Sequence, residues 1–267
     1  MRVEIDLRKG ARENADVYYA LSKKAKKKLG GLARGAEEIR RKLGIEADKV
    51  SVRKKPLKRR ERKWYEKFHW FFTSEGFLVI AGRDAKSNEN IVKRLMEKDD
   101  VYFHADIHGA PHTVLKTDGK KPGPASMQEA AVFAAVFSKA WAQQLASVDV
   151  YSARPEQVSK SAPSGESIGT GAFMVYGGRE WFRKTPLAFA VGFKKTADSA
   201  EFFSGPVSAV KPAADFHVNL SFGDMPKGAA AKRIAGIFRG KLGKGSEISL
   251  DEIVALLPNG GIGISAV

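Results

Sequence analysis

Cysteine is absent from this 267-residue chain. That absence removes disulfides, thiolate nucleophiles and Cys-ligated zinc or iron–sulfur clusters, and it accords with a reducing compartment. No run approaches 18 uninterrupted apolar residues, so neither a membrane span nor a membrane partner is expected. The N-terminus carries charge where a signal peptide needs an apolar core. Acidic residues are also in short supply, with 30 Asp+Glu against 46 Lys+Arg and a formal net charge of +16. What is present is enough to fold: 43% of the residues are hydrophobic, which argues against disorder. A chain of this length buries about 70–75% of its unfolded surface and can hold a core without staples.

The excess charge is concentrated. Residues 1–68 hold 23 Lys/Arg and 10 Asp/Glu, a net of +13, whereas residues 69–267 hold 23 and 20, a net of +3. A localised positive field points to a polyanionic partner, nucleic acid or an anionic membrane face. A merely solubilising surface would account for the total better than for the asymmetry.

Within that first quarter, Val3 to Leu7 alternates like a short strand. From about Arg12 the period becomes helical. Val17, Tyr18, Leu21, Ala25, Leu29, Leu32, Ala36, Ile39 and Leu43 fall in one stripe about 120° wide, with Lys23, Lys24, Lys26, Lys27 and Arg41 outside it. Gly30 and Gly31 each cost about 1 kcal/mol relative to Ala, yet the stripe keeps its phase across them, so one helix with a soft middle is expected. Gly44 stands where such a helix would end. Pro56 could open a second short helix carrying Leu57, Trp64 and Phe68, which would make residues 1–62 a basic helical, coiled-coil-like arm before a body at 63–267. Lys54, Lys55, Arg59, Arg60 and Lys63 are the candidate phosphate contacts of this region. Trp64, in an aromatic cluster that is otherwise core, stays open as a base-stacking residue.

The body reads as α+β: a mixed, largely antiparallel sheet with helices packed mainly on one face. Strands are expected at 68–72, 77–81, 101–107, 113–116, 148–153, 172–176 and 187–193, with weaker ones near Val207 and at 216–222. Helices are expected at 85–96, 126–145, 226–240 and 249–257, and Thr73-Ser74-Glu75-Gly76 has the composition of a hairpin turn.

Four constellations could carry chemistry. His104, Asp106 and His108, if a strand runs through all three, would point to one side and could meet a divalent metal, although no second carboxylate cluster lies nearby in sequence to complete a hydrolytic shell. Gly165-Glu166-Ser167-Ile168-Gly169 spells a nucleophile elbow but lacks the strand before it and the helix after it. Gly223 to Gly228 has phosphate-loop glycine spacing, but Ala229-Ala230 replace the Lys-Ser/Thr that nucleotide hydrolysis needs. Lys227, Gly228, Lys232 and Arg233 nonetheless open an expected helix, where cations are unfavourable unless an anion is bound.

Several separate motifs, in order, resemble the RNA-binding domain of the NFACT family, the ribosome quality-control proteins of the RqcH and NEMF type. They are Lys63 to Phe71, Gly76 to Ala85 with Asn88-Glu89, Val101 to Ala110, and Gln157 to Glu166 with Gly171 to Met174. Ile5 to Tyr19 is similar to the start of that family's coiled-coil arm. The resemblance implies binding to a large ribosomal subunit with a stranded peptidyl-tRNA, recruitment of tRNA for tail addition, and no hydrolytic activity or cofactor. Family members usually begin with a large N-terminal domain that this sequence does not contain. Their tail-elongation residues lie in that domain, so none carries over. A stand-alone version, or one half of a split system with a separate chain supplying that domain, is therefore expected.

Together these readings describe a cytoplasmic, non-catalytic protein that engages tRNA, large-subunit rRNA or both. The arm contacts phosphates, and Arg83, Asp84, His104, Asp106, His108 and Lys160 shape an RNA-facing site, with Lys227 and Lys232 at a helix start. The alternatives are a metal-dependent nuclease or hydrolase using His104, Asp106 and His108, and an adaptor that docks a partner helix through Leu21, Leu29, Leu32 and Ile39.

Overall fold

The computed structural model describes residues 6, 8, 10–47, 63–161, 168–196, 200–243 and 248–266. The chain divides into two compact units, residues 1–61 and 62–267.

Among its described residues the first unit holds one helix, α1 (Ala11–Ala47). Its 37 residues give a length of about 55 Å. Glu13 accepts the Gly10 N–H at 2.9 Å and so caps the start. The helix runs unbroken through Gly30 and Gly31 and also through Gly44, contrary to the expected stop. A glycine weakens a helix interior without forbidding it, and extending a formed helix is far easier than nucleating a new one. Val17, Leu21, Leu29, Leu32 and Ile39 are all exposed. Of the expected strand at Val3–Leu7 only Asp6 is described, and the expected helix opening at Pro56 lies outside the described residues, as do Lys54, Lys55, Arg59, Arg60 and Ser167. The second unit opens on a single 3-10 turn, Trp64–Lys67.

The second unit is built on two antiparallel sheets. The larger contains β1 (His69–Phe72), β2 (Leu78–Ala81), β3 (Val101–Ala105), β4 (Thr113–Lys116), β5 (Ser147–Ala153) and, after a short ribbon of β6 (Val158–Ser159) and β7 (Met174–Val175), β8 (Glu180–Pro186). Its spatial order is β1-β2-β4-β3-β5-β8. The smaller contains β9 (Phe189–Lys195), β10 (Ala200–Pro206), β11 (Phe216–Met225) and β12 (Ile262–Ala266), in the order β10-β9-β11-β12. Every strand pair among the described residues is antiparallel.

The period of two decides which face each residue serves. Phe71, Val79, Phe103 and Leu115 turn to one face of the larger sheet and join the main core with Phe133, Phe189, Phe193 and Phe238. Their strand neighbours Trp70, Ile80, Tyr102 and Val114 turn to the other face and build a second core with Tyr65, Phe68, Ile91 and Tyr151. Burial on both faces explains why these strands read as nearly continuous apolar runs.

The helices are α2 (Ala85–Asn90), α3 (Pro124–Val136), α4 (Lys139–Ala142), α5 (Val207–Ala213), α6 (Lys227–Leu242) and α7 (Leu250–Leu256). Several depart from expectation. The helix expected to run to Met96 ends at Asn90 and widens into a π turn over Ile91–Leu95. The one expected over 126–145 breaks at Ser138, whose hydroxyl donates to the Ala135 carbonyl at 2.6 Å and accepts the Ala140 N–H at 3.1 Å, closing α3 and opening α4. Val207 begins a helix rather than a strand, because the strand there is β10, just before it. Only Met174–Val175 of the expected 172–176 strand pairs. β8 and β12 give no apolar signal of their own, being polar and glycine-bearing respectively, and owe their existence to neighbouring strands.

Candidate nucleic-acid interface

The register of the larger sheet brings one end of four strands together. His69 lies opposite Ala81, Ala81 opposite Thr113, and Thr113 opposite Phe103. Gly82-Arg83-Asp84 after β2, His104 to Pro111 at the end of β3, and His112 before β4 therefore converge. With Phe137 to Lys139 at the α3–α4 break, Thr170 to Phe173 and Asn259, they line a cavity of about 740 Å³. Four of the chain's five histidines line it: His69, His104, His108 and His112.

The corner after β2 is set by sequence-local hydrogen bonds. Asp84 accepts the Ser87 N–H at 2.7 Å while the Ser87 hydroxyl oxygen accepts the Asp84 N–H at 2.8 Å, a capping box that starts α2. These bonds hold the Asp84 carboxyl below its ordinary range. A Cβ at Gly82 would collide with the Asn88 side chain, and Asn88 in turn accepts the His112 N–H at 3.1 Å. Glycine is needed there for close approach, not for an unusual dihedral.

The far wall is a loop clamped onto α2. Gly171 donates its N–H to Glu89 at 3.0 Å and accepts from His112 Nε2 at 2.8 Å. Because a carbonyl can only accept, Nε2 carries the proton, and Nδ1 of the neutral ring accepts the Tyr102 hydroxyl at 2.5 Å. Burial, with His104 beside it, lowers the His112 pKa to about 4. Burial is also the first cause of the lowered pKa of His104, ahead of opposing hydrogen bonds and the Asp106 charge. In His69 burial acts together with the positive charges of Arg83 and Lys227. Three of the cavity's imidazoles are thus neutral at pH 7.

The residues expected to form the site separate into distinct roles. Arg83 lines the cavity, anchored by a 2.9 Å bond to the Phe68 carbonyl. Asp84, His104, Asp106 and His108 also line it. Lys160 is occupied structurally: its ammonium donates to Gly169 and Ala172 carbonyls at 2.8 and 3.1 Å, stands 3.7 Å from Glu89, and lies over the Phe173 ring. Lys227 is half-buried at the first position of α6 and donates to Asn259 at 3.1 Å. Lys232 is exposed on the same helix and is not part of the cavity lining. Lys63 and Trp64 are exposed, with the Trp64 ring edge-on to Tyr65.

The metal-site reading of His104, Asp106 and His108 needs a strand through residue 108. β3 stops at Ala105, Ile107 bonds back to the Ala105 carbonyl, and the chain turns. The shared strand face that reading needs is therefore absent, and among the described residues no group of three His, Asp or Glu is arranged to hold a metal ion. His69, His112, Lys139 and Asn259 were not anticipated as site residues. The clustering of four histidines between 69 and 112 was the available signal; nothing local marks Lys139 or Asn259.

Residues 67–177 match the model of the NFACT protein RNA binding domain. The chain is 39% identical to the archaeal Rqc2 homolog aRqcH of Methanocaldococcus jannaschii, over 97% of this chain and 39% of that protein. It is 36% identical to the ribosome quality control complex subunit NEMF homolog of Drosophila melanogaster, over 71% of this chain and 20% of that one. Against the human ribosome quality control complex subunit NEMF the figures are 34%, 70% and 18%. The chain thus spans well under half the length of these curated relatives.

Proposed function

We propose that this chain, which carries an NFACT RNA-binding domain and is a relative of the Rqc2 and NEMF ribosome quality-control proteins, binds RNA in that process. In this reading it engages tRNA, the large ribosomal subunit with a stalled nascent chain, or both, in the cytoplasm where ribosomes work. Residues 63–267 serve as the RNA-binding domain and residues 1–62 as a basic arm that adds phosphate contacts.

The reading rests on one observation above the others. Within and beside the stretch that matches an RNA-binding domain, Arg83, Lys139 and a set of neutral imidazoles line a single open cavity, with Lys227 reaching its Asn259 edge. Cations supply attraction to phosphates, and neutral imidazoles and amides supply hydrogen bonds without desolvating a further charge. The bias of charge toward residues 1–68 supports the arm's part.

The test is binding of tRNA and of purified large subunits across a salt series. If 6–10 phosphates are neutralised, affinity falls by about 10³–10⁵ between 50 and 200 mM salt. Binding indifferent to salt, or no binding at low salt, refutes the reading.

A further inference from the structure

The outer strand of the larger sheet is irregular at one point. Val148 of β5 lies opposite Thr185 of β8 and Val150 opposite Phe182, so Arg183 and Lys184 together oppose the single residue Asp149. Lys184 takes a φ of +48°, a conformation that residues other than glycine rarely adopt. Asp149 fixes this bulge by accepting the Lys184 N–H and an Arg183 Nη1–H at 2.7 Å each. Backbone strain persists where its surroundings over-determine it, and a bulge re-aims the side chains it carries. Blunting an exposed sheet edge would need the bulge alone.

This edge carries more than a bulge. Trp181 and Tyr151 lie opposite each other on β8 and β5, with ring centroids 5.3 Å apart. The Arg183 guanidinium lies over the Trp181 ring at 4.1 Å, and the Arg179 guanidinium over the Tyr151 ring at 4.5 Å. Both are held in place, Arg183 by Asp149 and Arg179 by the Val175 carbonyl at 3.0 Å. Each guanidinium has one side on a ring, and its outer side is open: 61% of the Arg183 side chain is exposed, and Arg179 is exposed as well. Arg179, Arg183 and Lys184 stand here against Asp149 and against Asp106 of the adjoining cavity, which Tyr151 also lines. Glu180 accepts the Ser152 hydroxyl at 3.4 Å on the other face, because side chains alternate along a strand.

We propose that Tyr151, Arg179, Trp181, Arg183 and Lys184 form a stacking platform for the unpaired bases of single-stranded RNA. A guanidinium plane already seated on an aromatic ring offers a flat, ordered surface on which a base can stack. Lys184 stands beside it to meet a phosphate. Double-stranded RNA keeps its base faces inside its own stack and cannot use such a surface. A protein partner would call for an apolar patch, whereas these rings are already covered by cations. The inference deepens the RNA-binding reading and rests on it for the class of ligand.

The test measures binding of the full chain to a labelled RNA strand of about 10 nucleotides, within the span that single-strand sites cover. The same strand annealed to its complement, and an abasic strand of equal length, are the comparisons. The single strand should bind more tightly than either. Trp181→Ala should weaken its binding about 5- to 100-fold, the loss of one stacked base. Arg183→Lys, an exposed change that keeps the charge and loses the plane, should weaken it about 5-fold with the salt slope unaltered, and it serves where Trp181→Ala fails to fold. Lys184→Gly suits the positive φ and should make the slope of log affinity against log salt shallower by about 0.7. Equal binding of the duplex or the abasic strand, or an Arg183→Lys variant that binds like the wild type, overturns the proposal. So does an Arg183→Lys variant that loses large-subunit binding and keeps the oligonucleotide, since the face would then meet protein. Tight tRNA binding without any single-strand binding sinks the platform alone. Single-strand binding that depends on Arg183, without tRNA or large-subunit binding, sinks the ribosomal reading alone.

Discussion

His112 joins three parts of the site through one ring. Its Nε2–H holds the Gly171 loop, its Nδ1 takes the Tyr102 hydroxyl from the second core, and its backbone N–H binds Asn88 of α2. Both ring bonds suit a neutral imidazole. With a folded pKa of about 4 against 6.5 in the unfolded chain, the stability it lends is complete above pH 6.5. It is lost as the pH falls toward 4, because in that window only the unfolded chain takes up the proton. At pH 5 the loss from this ring alone is on the order of 2 kcal/mol, and His69 and His104 shift stability in the same direction. Urea midpoints measured from pH 7 down to 5 should therefore fall, and His112→Gln, less stable at pH 7, should show a shallower decline. Gly171 is the second residue with a sharp requirement. Its φ is +76°, and an added Cβ would lie 2.6 Å from the Ala85 backbone. Gly171→Ala is expected to lower the denaturation free energy by about 1–3 kcal/mol, read from a denaturant midpoint.

The elements around the site are held by side chains that reach across long stretches of sequence. α3 begins after Gly123, which has no side chain to cap it, and Glu75 of the β1–β2 turn takes that role by accepting from the N–H groups of Gly123 and Ser126 and from the Ser126 hydroxyl. Glu129 of α3 returns the grip by accepting the Ser74 N–H at 2.8 Å. The β3–β4 pair is pinned by a buried ion pair, in which Lys116 reaches Asp100 at 2.5 Å and Asp100 also accepts from Glu97 and Thr117 N–H groups. Lys116→Met should cost about 3–5 kcal/mol, because it strands the Asp100 charge in the interior; a chemical melt of the variant reads this directly. The turn itself was legible, since Thr-Ser-Glu-Gly is turn chemistry. That its glutamate caps a helix some 50 residues on was not, because capping preference is visible only between near neighbours in sequence. The break at Ser138 was missed for a related reason: an alanine-rich, largely apolar helix shows no change of period where one helix ends and the next begins.

At the scale of the whole molecule, charge and site are separated along the chain. Residues 1–68 hold +13 of the +16, while the cavity lies in the nearly neutral remainder. Residues 62–267 contain both hydrophobic cores. Deleting residues 1–61 should therefore leave the body's cooperative melt in place while flattening the slope of log affinity against log salt for tRNA; an unchanged slope would place the phosphate contacts in the body. The sequence by itself determined the α+β class, the phase of the strands, the long basic helix and the family motifs, because each is written in a local period or in a run of adjacent residues. Only the tertiary structure decided where α1 ends, that β3 stops before His108, that Lys160 is a clamp, and that His69, Arg83, His112 and Asn259 share one cavity. Strand register and long-range hydrogen bonds bring those residues together from positions 69 to 259, and a juxtaposition made by pairing across the fold leaves no mark in the local pattern of the chain.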